Sequence, residues 1–412
     1  MHIHPITHLL IVVLTVLFFP VGQAAAKSAA IHAETPQPKR FQVQGEQIVD
    51  RTTGARLFLR GIGYSPYLPG ETPQQGAAPG DDGRYTTQLK TIVDLGANYL
   101  HLFPLQMPPG FFTALDATDL VYGQDIWIDP FAADILDEAY QAKSLQTIRS
   151  VIDHTYAGGR PDRLLLFSIG DELQAETVVL TNQRHPTVRD FQGKHLSVTG
   201  RTPSEVALAR LIDAAMEYEL QRYGQRHLYC HTSWSHIGPL ADRPDLDLPR
   251  EHVLNPDMGD LVCLNLYSYG RGVVSSPPGS ATGTAYQGYL EELASAADRP
   301  ILITQVGMSS SPVMPKPEIK HYGGNTPEQI AAVLRSVWRD IRTARGREVF
   351  CGIAFFELHD EWWKIGWVPG DENTHEPEDP EEWFGIYAIG EGNVLIPKGE
   401  LPATVRSLFS QP

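Results

Sequence analysis

Leu164-Leu165-Leu166-Phe167-Ser168-Ile169-Gly170-Asp171-Glu172 is an apolar run that stops on two adjacent carboxyls. A run this short that ends at a glycine reads as a strand buried on both faces, the kind found in parallel sheets. With Arg163–Gly170 counted as the fourth, seven more such runs are present: Leu57–Tyr64, Ala97–Phe103, Leu120–Trp127, His227–Trp234, Asp260–Tyr267, Pro300–Val306 and Val349–Glu357. Helical patterns separate them. Thr202-Pro203-Ser204-Glu205 and Thr326-Pro327-Glu328-Gln329 each put a capping hydroxyl, a first-turn proline and a capping-box acid or amide in order. The second of these helices is expected to run to about Arg345, and further helices are expected over residues 131–155 and 286–297. Strands alternating with helices in this way predict an α/β fold, a single (β/α)8 TIM barrel.

Outward from the barrel, residues 9–19 (LLIVVLTVLFF) followed by Ala24-Ala25-Ala26 read as a secretory signal peptide over residues 1–26. An uncleaved anchor is the alternative, because His2, His4 and His8 precede the run and no Lys or Arg does. Residues 27–40 read as a polar linker and 41–412 as the folded domain. No later run is long enough to cross a bilayer, so a periplasmic or secreted protein, off the membrane after signal cleavage, is expected. The net charge of -16 repels nucleic acid and anionic lipid and suits a neutral glycan. Cys230, Cys263 and Cys351 sit in strand-like runs and read as buried thiols, with a Cys230–Cys263 bridge as the alternative. The acidic stretch 371–382 reads as a solvated loop.

In such a barrel the working residues stand at the C-terminal ends of the strands. Four ends stand out: Gly170-Asp171-Glu172 on the fourth run, Asn265 and Tyr267 on the sixth, Gln305 on the seventh, and Glu357, His359, Asp360, Glu361, Trp362 and Trp363 on the eighth. With these motifs the sequence resembles the clan A glycoside hydrolases, closest to the catalytic barrel of glycoside hydrolase family 2. Phe58–Tyr64 and Leu95–Tyr99 are similar to its first two strands. Leu166–Glu172 is similar to its acid/base strand, and the resemblance gives Glu172 that role. Pro300–Gly307 is similar to its nucleophile strand, with Gln305 in the usual glutamate's place. Tyr267 resembles the tyrosine that hydrogen-bonds the nucleophile, so its expected partner is Gln305. Asp171 stands where the family has an asparagine that contacts the sugar's 2-substituent, and His101 where arginine is common.

Retaining glycosidases need two carboxyls about 5–5.5 Å apart, one protonated and one ionised. A glutamine neither attacks the anomeric carbon nor stabilises developing positive charge as a carboxylate does. Two other mechanisms are open. The Asp171-Glu172 pair resembles that of enzymes whose substrate supplies its own 2-acetamido nucleophile. Alternatively, Glu357, Asp360 or Glu361 is the base of an inverting scheme. Trp234, Trp362, Trp363, Trp367 and Trp383 lie in loops after strands, with Trp362 and Trp363 the leading platforms for sugar rings, while Trp338 reads as helix packing. The substrate-binding set is therefore Tyr267, Asn265, Trp234, Glu357, Trp362 and Trp363. His231 and His236 lack a third ligand at metal spacing, so no metal and no cofactor are expected. The functional expectation is a glycoside hydrolase or transglycosylase acting on O-glycosidic bonds of a poly- or oligosaccharide. The alternative is a catalytically impaired glycan-binding barrel.

Overall fold

Eight parallel strands close on themselves: β1 (Leu59–Tyr64), β2 (Tyr99–Leu102), β3 (Val121–Ile126), β4 (Leu164–Asp171), β5 (Leu228–Trp234), β6 (Val262–Asn265), β7 (Ile301–Val306) and β8 (Phe350–Phe355), with β8 pairing back to β1. This is a computed structural model, and it describes residues 40–73, 78–314, 322–366 and 368–411. The expected signal segment, the linker up to residue 39 and Trp367 lie outside the described residues. Each of the eight apolar runs is a barrel strand.

The helices are α1 (Arg84–Asp94), α2 (Pro109–Asp116), α3 (Glu138–Ala157), α4 (Ala175–Arg184), α5 (Pro203–Tyr223), α6 (Ala285–Ala296), α7 (Pro327–Thr343) and α8 (Leu401–Phe409). Both expected capping boxes form, at Thr202 with Glu205 and at Thr326 with Gln329. Two differences from the sequence reading have local causes. Helix α3 begins at Glu138 rather than near Phe131, because Asp129 and Asp134 bond the backbone N–H groups of Phe131 and Leu136 as turns, and Asp137 then caps the helix through Ala139 and Tyr140. Two helices, α4 and α5, follow β4, whereas the connection from β5 to β6 holds only a short 3-10 turn at Arg250–His252.

Inside the barrel, Tyr99, Leu166, Cys230, Cys263, Leu302 and Cys351 form a packed layer. Phe41 and Ile48, from a small antiparallel sheet of strands Phe41–Gln44, Gln47–Asp50 and Ala55–Arg56, pack against that layer. The three thiols are free and buried. Gly123 on β3 makes room for Tyr99, since a Cβ there would lie 2.1 Å from the tyrosine hydroxyl. Trp338 packs between Phe58 and Phe409, as its place in a helix implies. No helix among the described residues is long and apolar enough to cross a membrane.

The loop after β8 is anchored from below by Lys398, whose ammonium reaches Asp360, the Ser310 hydroxyl at 2.8 Å and the Trp383 carbonyl at 3.1 Å. Asp360 is fully buried. Breaking a buried pair leaves an uncompensated charge, so Lys398→Met is expected to destabilise the fold by about 3–5 kcal/mol. Urea unfolding of both proteins measures this; a loss under about 1 kcal/mol would show that Asp360 relaxes to solvent instead.

Candidate active site

Two strand irregularities aim the site. On β4, Ser168 and Asp171 pair with Cys230 and Thr232 of β5, so three steps on one strand match two on the other. Such a bulge re-aims side chains. Gly170, at φ 75°, turns the chain, and Glu172 follows at φ 48°, a left-handed conformation that costs a residue with a Cβ on the order of 1–3 kcal/mol. On β7, Ile303 and Gln305 pair with Leu264 and Asn265 of β6, a second bulge. Together they bring Asp171, Glu172, Asn265 and Gln305 to one spot.

There the hydrogen bonds form one connected network. The Thr304 hydroxyl donates to Asn265 Oδ1 at 2.7 Å, and Asn265 Nδ2 donates to both Asp171 Oδ1 and Glu172 Oε1 at 2.8 Å. Carboxylates only accept, so the amide nitrogen must face them. Tyr267 donates to Gln305 Oε1 at 2.9 Å, and Gln305 Nε2 donates to Asp171 Oδ2 at 3.0 Å. The two carboxyl oxygens that share the Asn265 nitrogen are separated by at most twice its 2.8 Å bond length.

Burial raises the Glu172 pKa above the usual carboxylate range, opposed by the Asn265 hydrogen bond and by His236 and Lys364. Asp171 is raised well above that range by burial first, then by the charges of Asp125 and Glu172. Asp125, the penultimate residue of β3, is fully buried against Asp171. Tyr267 is held protonated by burial, as a donor must be.

Asp171, Glu172, Tyr267 and Gln305 open into a cleft of about 1040 Å3, while Asn265, expected to bind substrate, is buried behind them and holds the two carboxyls instead. Trp234 lines the cleft, its indole fixed by a 3.1 Å bond to the Leu173 carbonyl and stacked on His236 with ring centres 4.1 Å apart. Trp363 lines it as well, while Trp362 does not: it stacks on His375, which in turn stacks on Trp383. Trp362 is thus a loop-packing residue, a correction to the platform expected from its neighbourhood. Glu357 also differs from expectation, being fully buried behind the cleft wall beside Glu361. Asp360 is tied to Lys398. Of the three candidate inverting bases only Glu361 lines the cleft, ion-paired to Lys364 at 3.0 Å.

His231 is a core residue, and His236 lines the cleft while paired to Asp247 at 2.9 Å. His101 is fully buried beneath the site, bonded to Tyr99. Among the described residues no group of His, Cys, Asp and Glu is placed to hold a metal ion.

The acidic loop is not simply solvated. Asp379 and Glu382 are buried, and Glu381 lines the cleft, pushed up to about 8 by burial and by Glu172 while the Lys364 ion pair at 3.5 Å acts the other way. Trp127 and Phe131, from the loop after β3, line the mouth with 46% and 76% of their surface exposed.

No protein-family model matches the chain, and no curated protein matches it. Solved structures do. A GH2 beta-galacturonidase from Eisenbergiella tayi bound to galacturonate aligns with TM-score 0.58 at 13% identity over 90% of this chain and 53% of its own. The Bifidobacterium dentium beta-glucuronidase complexed with coumarin-3-O-glucuronide gives 0.59 at 13% over 90% and 49%. The Lactobacillus rhamnosus beta-glucuronidase gives 0.60 at 12% over 90% and 52%. This chain therefore shares the barrel fold found in glycoside hydrolase family 2 structures and spans about half the length of the structures it matches.

Proposed function

We propose that the chain hydrolyses O-glycosidic bonds of a neutral, N-acetylated poly- or oligosaccharide, with Glu172 as the proton donor and Asp171 holding the substrate's 2-acetamido group. The observation that carries this is the Asp171-Glu172 pair bridged by one Asn265 nitrogen, with an amide, Gln305, in the nucleophile's place. The acetamido oxygen attacks the anomeric carbon as the glycosidic bond breaks, and Glu172 passes its proton to the departing oxygen. Asp171 accepts the acetamido N–H and balances the positive charge on the cyclic intermediate. Glu172 then takes a proton from the water, or from the sugar hydroxyl in a transglycosylation, that reopens the ring.

Uronic acids, bound in two of the aligned structures, suit this cleft poorly. Lys364 is already paired to Glu361, and Arg271 to Asp247, while Asp171 and Asp245 add further carboxylates to the cleft wall. The residue 9–19 run supports an extracytoplasmic setting for this work. A panel of neutral, N-acetylated and uronic glycosides tests the reading. N-acetylated substrates are expected to be turned over at least ~10-fold better in kcat/KM than their uronic counterparts, a difference of about 1.4 kcal/mol. Binding of the panel without cleavage of any member would instead favour the glycan-binding barrel, which Gln305 also allows.

A further inference from the structure

Asp125 is the penultimate residue of β3, beside Asp171 at the end of β4. It is fully buried, and no N–H or O–H donor meets either of its oxygens in hydrogen-bonding geometry. Within its reach lie the Asp171 carboxyl and, short of good hydrogen-bond geometry, the Ser168 hydroxyl, the Trp127 indole and the Ile126 N–H, too few and too poorly aimed to offset its burial. Two ionised carboxylates so placed repel each other with little water to screen them, and a buried charge without a partner is costly.

One proton between them removes both costs. Asp171 already accepts N–H bonds from Asn265 and Gln305, which favours negative charge on Asp171. Those two donors draw the shared proton toward Asp125, while burial and the Glu172 charge draw it toward Asp171, so the proton belongs to the pair. The other titratable groups that bear on the pair are Tyr99 on β2 and Cys263 on β6, which face Asp125, and Glu172 after β4, which faces Asp171; none supplies a positive charge, and the histidines on the flanking strands are His101 on β2 and His231 on β5. Burial holds His101 at about 3 and His231 at about 4, so both are neutral.

We propose that Asp125 is a positioning residue, sharing one proton with Asp171 and so holding Asp171 as a singly charged acceptor for the substrate's 2-substituent. Its part in turnover rests on the glycosidase reading above; the shared proton does not. Burial raises both members of the pair, Asp125 to about 7. The folded chain then keeps a proton that the unfolded chain loses near the ordinary aspartate value of about 3.9. Stability accordingly falls as pH rises from there toward the folded value, and Asp125→Asn removes that part of the fall.

Carboxyl-carbon NMR of the full chain labelled at aspartate, with Asp125→Asn and Asp171→Asn used for assignment, reads the pair without any need for activity. The expected result is a coupled pair whose last proton leaves at least ~2 pH units above the ordinary aspartate value. Two independent titrations near that value would overturn the proposal. In kinetics, Asp125→Ala is expected to lower kcat by ~10-fold or more with little change in KM. Asp125→Asn, which keeps a donor facing Asp171, recovers much of that loss but shifts the pH profile. An unchanged pH profile in both variants would overturn the positioning role. A shared proton found in a chain that cleaves nothing would support the pairing and defeat the glycosidase reading.

Discussion

Glu172→Gln is expected to lower kcat on unactivated glycosides by ~10²- to 10⁴-fold, the usual contribution of a positioned general acid. The substitution is nearly isosteric, and it puts an amide where Asn265 now donates to Glu172 Oε1. The loss is expected to depend on the leaving group. A dinitrophenyl glycoside departs without a proton, so its cleavage is expected to survive far better than that of an oligosaccharide. The pH profile gives a second check. Burial raises the Glu172 pKa, so the protonated donor persists above the usual carboxylate range and activity falls as pH rises through the folded value. That alkaline limb is expected to vanish in Glu172→Gln. Equal losses on both kinds of substrate would show that Glu172 is not the proton donor.

The second large effect is a pair of single losses with a joint recovery. Asp171→Asn removes the charge that faces the acetamido group and is expected to cost ~10²- to 10³-fold in kcat on N-acetylated substrates, comparable to losing a charge-stabilising donor elsewhere. Unaltered turnover would remove the acetamido-assisted mechanism. Gln305→Glu alone does not recreate a retaining site, because Gln305 Nε2 is bonded to Asp171 Oδ2 at 3.0 Å and a glutamate there sets two carboxylates against each other. The double variant, Asp171→Asn with Gln305→Glu, keeps one amide and one carboxylate with their places exchanged. It is expected to hydrolyse better than either single variant on substrates without a 2-acetamido group. Strict additivity of the two losses would show that the residues do not act as a unit.

How much of this was legible in the sequence follows from what a pattern encodes. The eight strands were legible because a strand buried on both faces must be continuously apolar, and each run ends within two residues of where its strand leaves the sheet. The capping boxes were legible because their chemistry is local. The start of α3 was not, since three aspartates spaced along residues 129–137 hold turns that hydrophobic period does not register. At the site, the resemblance to family 2 strand ends places Asp171, Glu172 and Gln305, and Tyr267 does bond Gln305.

Asp125 lies two residues inside the third apolar run, Leu120–Trp127, and was not among the strand ends singled out. Its contact with Asp171 depends on the bulge in β4, which no sequence period announces. Glu381 arrives through a long return of the chain after β8, and an acidic stretch is more often solvated than folded back into a cleft. Trp362 and Trp363 are neighbours in sequence but face different surroundings, one stacked in the loop and one on the cleft, and composition alone does not separate them.

The measurement that bears most directly on the account is reducing-sugar release from an unactivated N-acetylated oligosaccharide by the wild-type chain and by Glu172→Gln in parallel, with calorimetric binding of the same oligosaccharide to both. The account predicts binding by both proteins and release by the wild type alone. Binding by both with release by neither would contradict it and leave a barrel that holds glycan without cutting it.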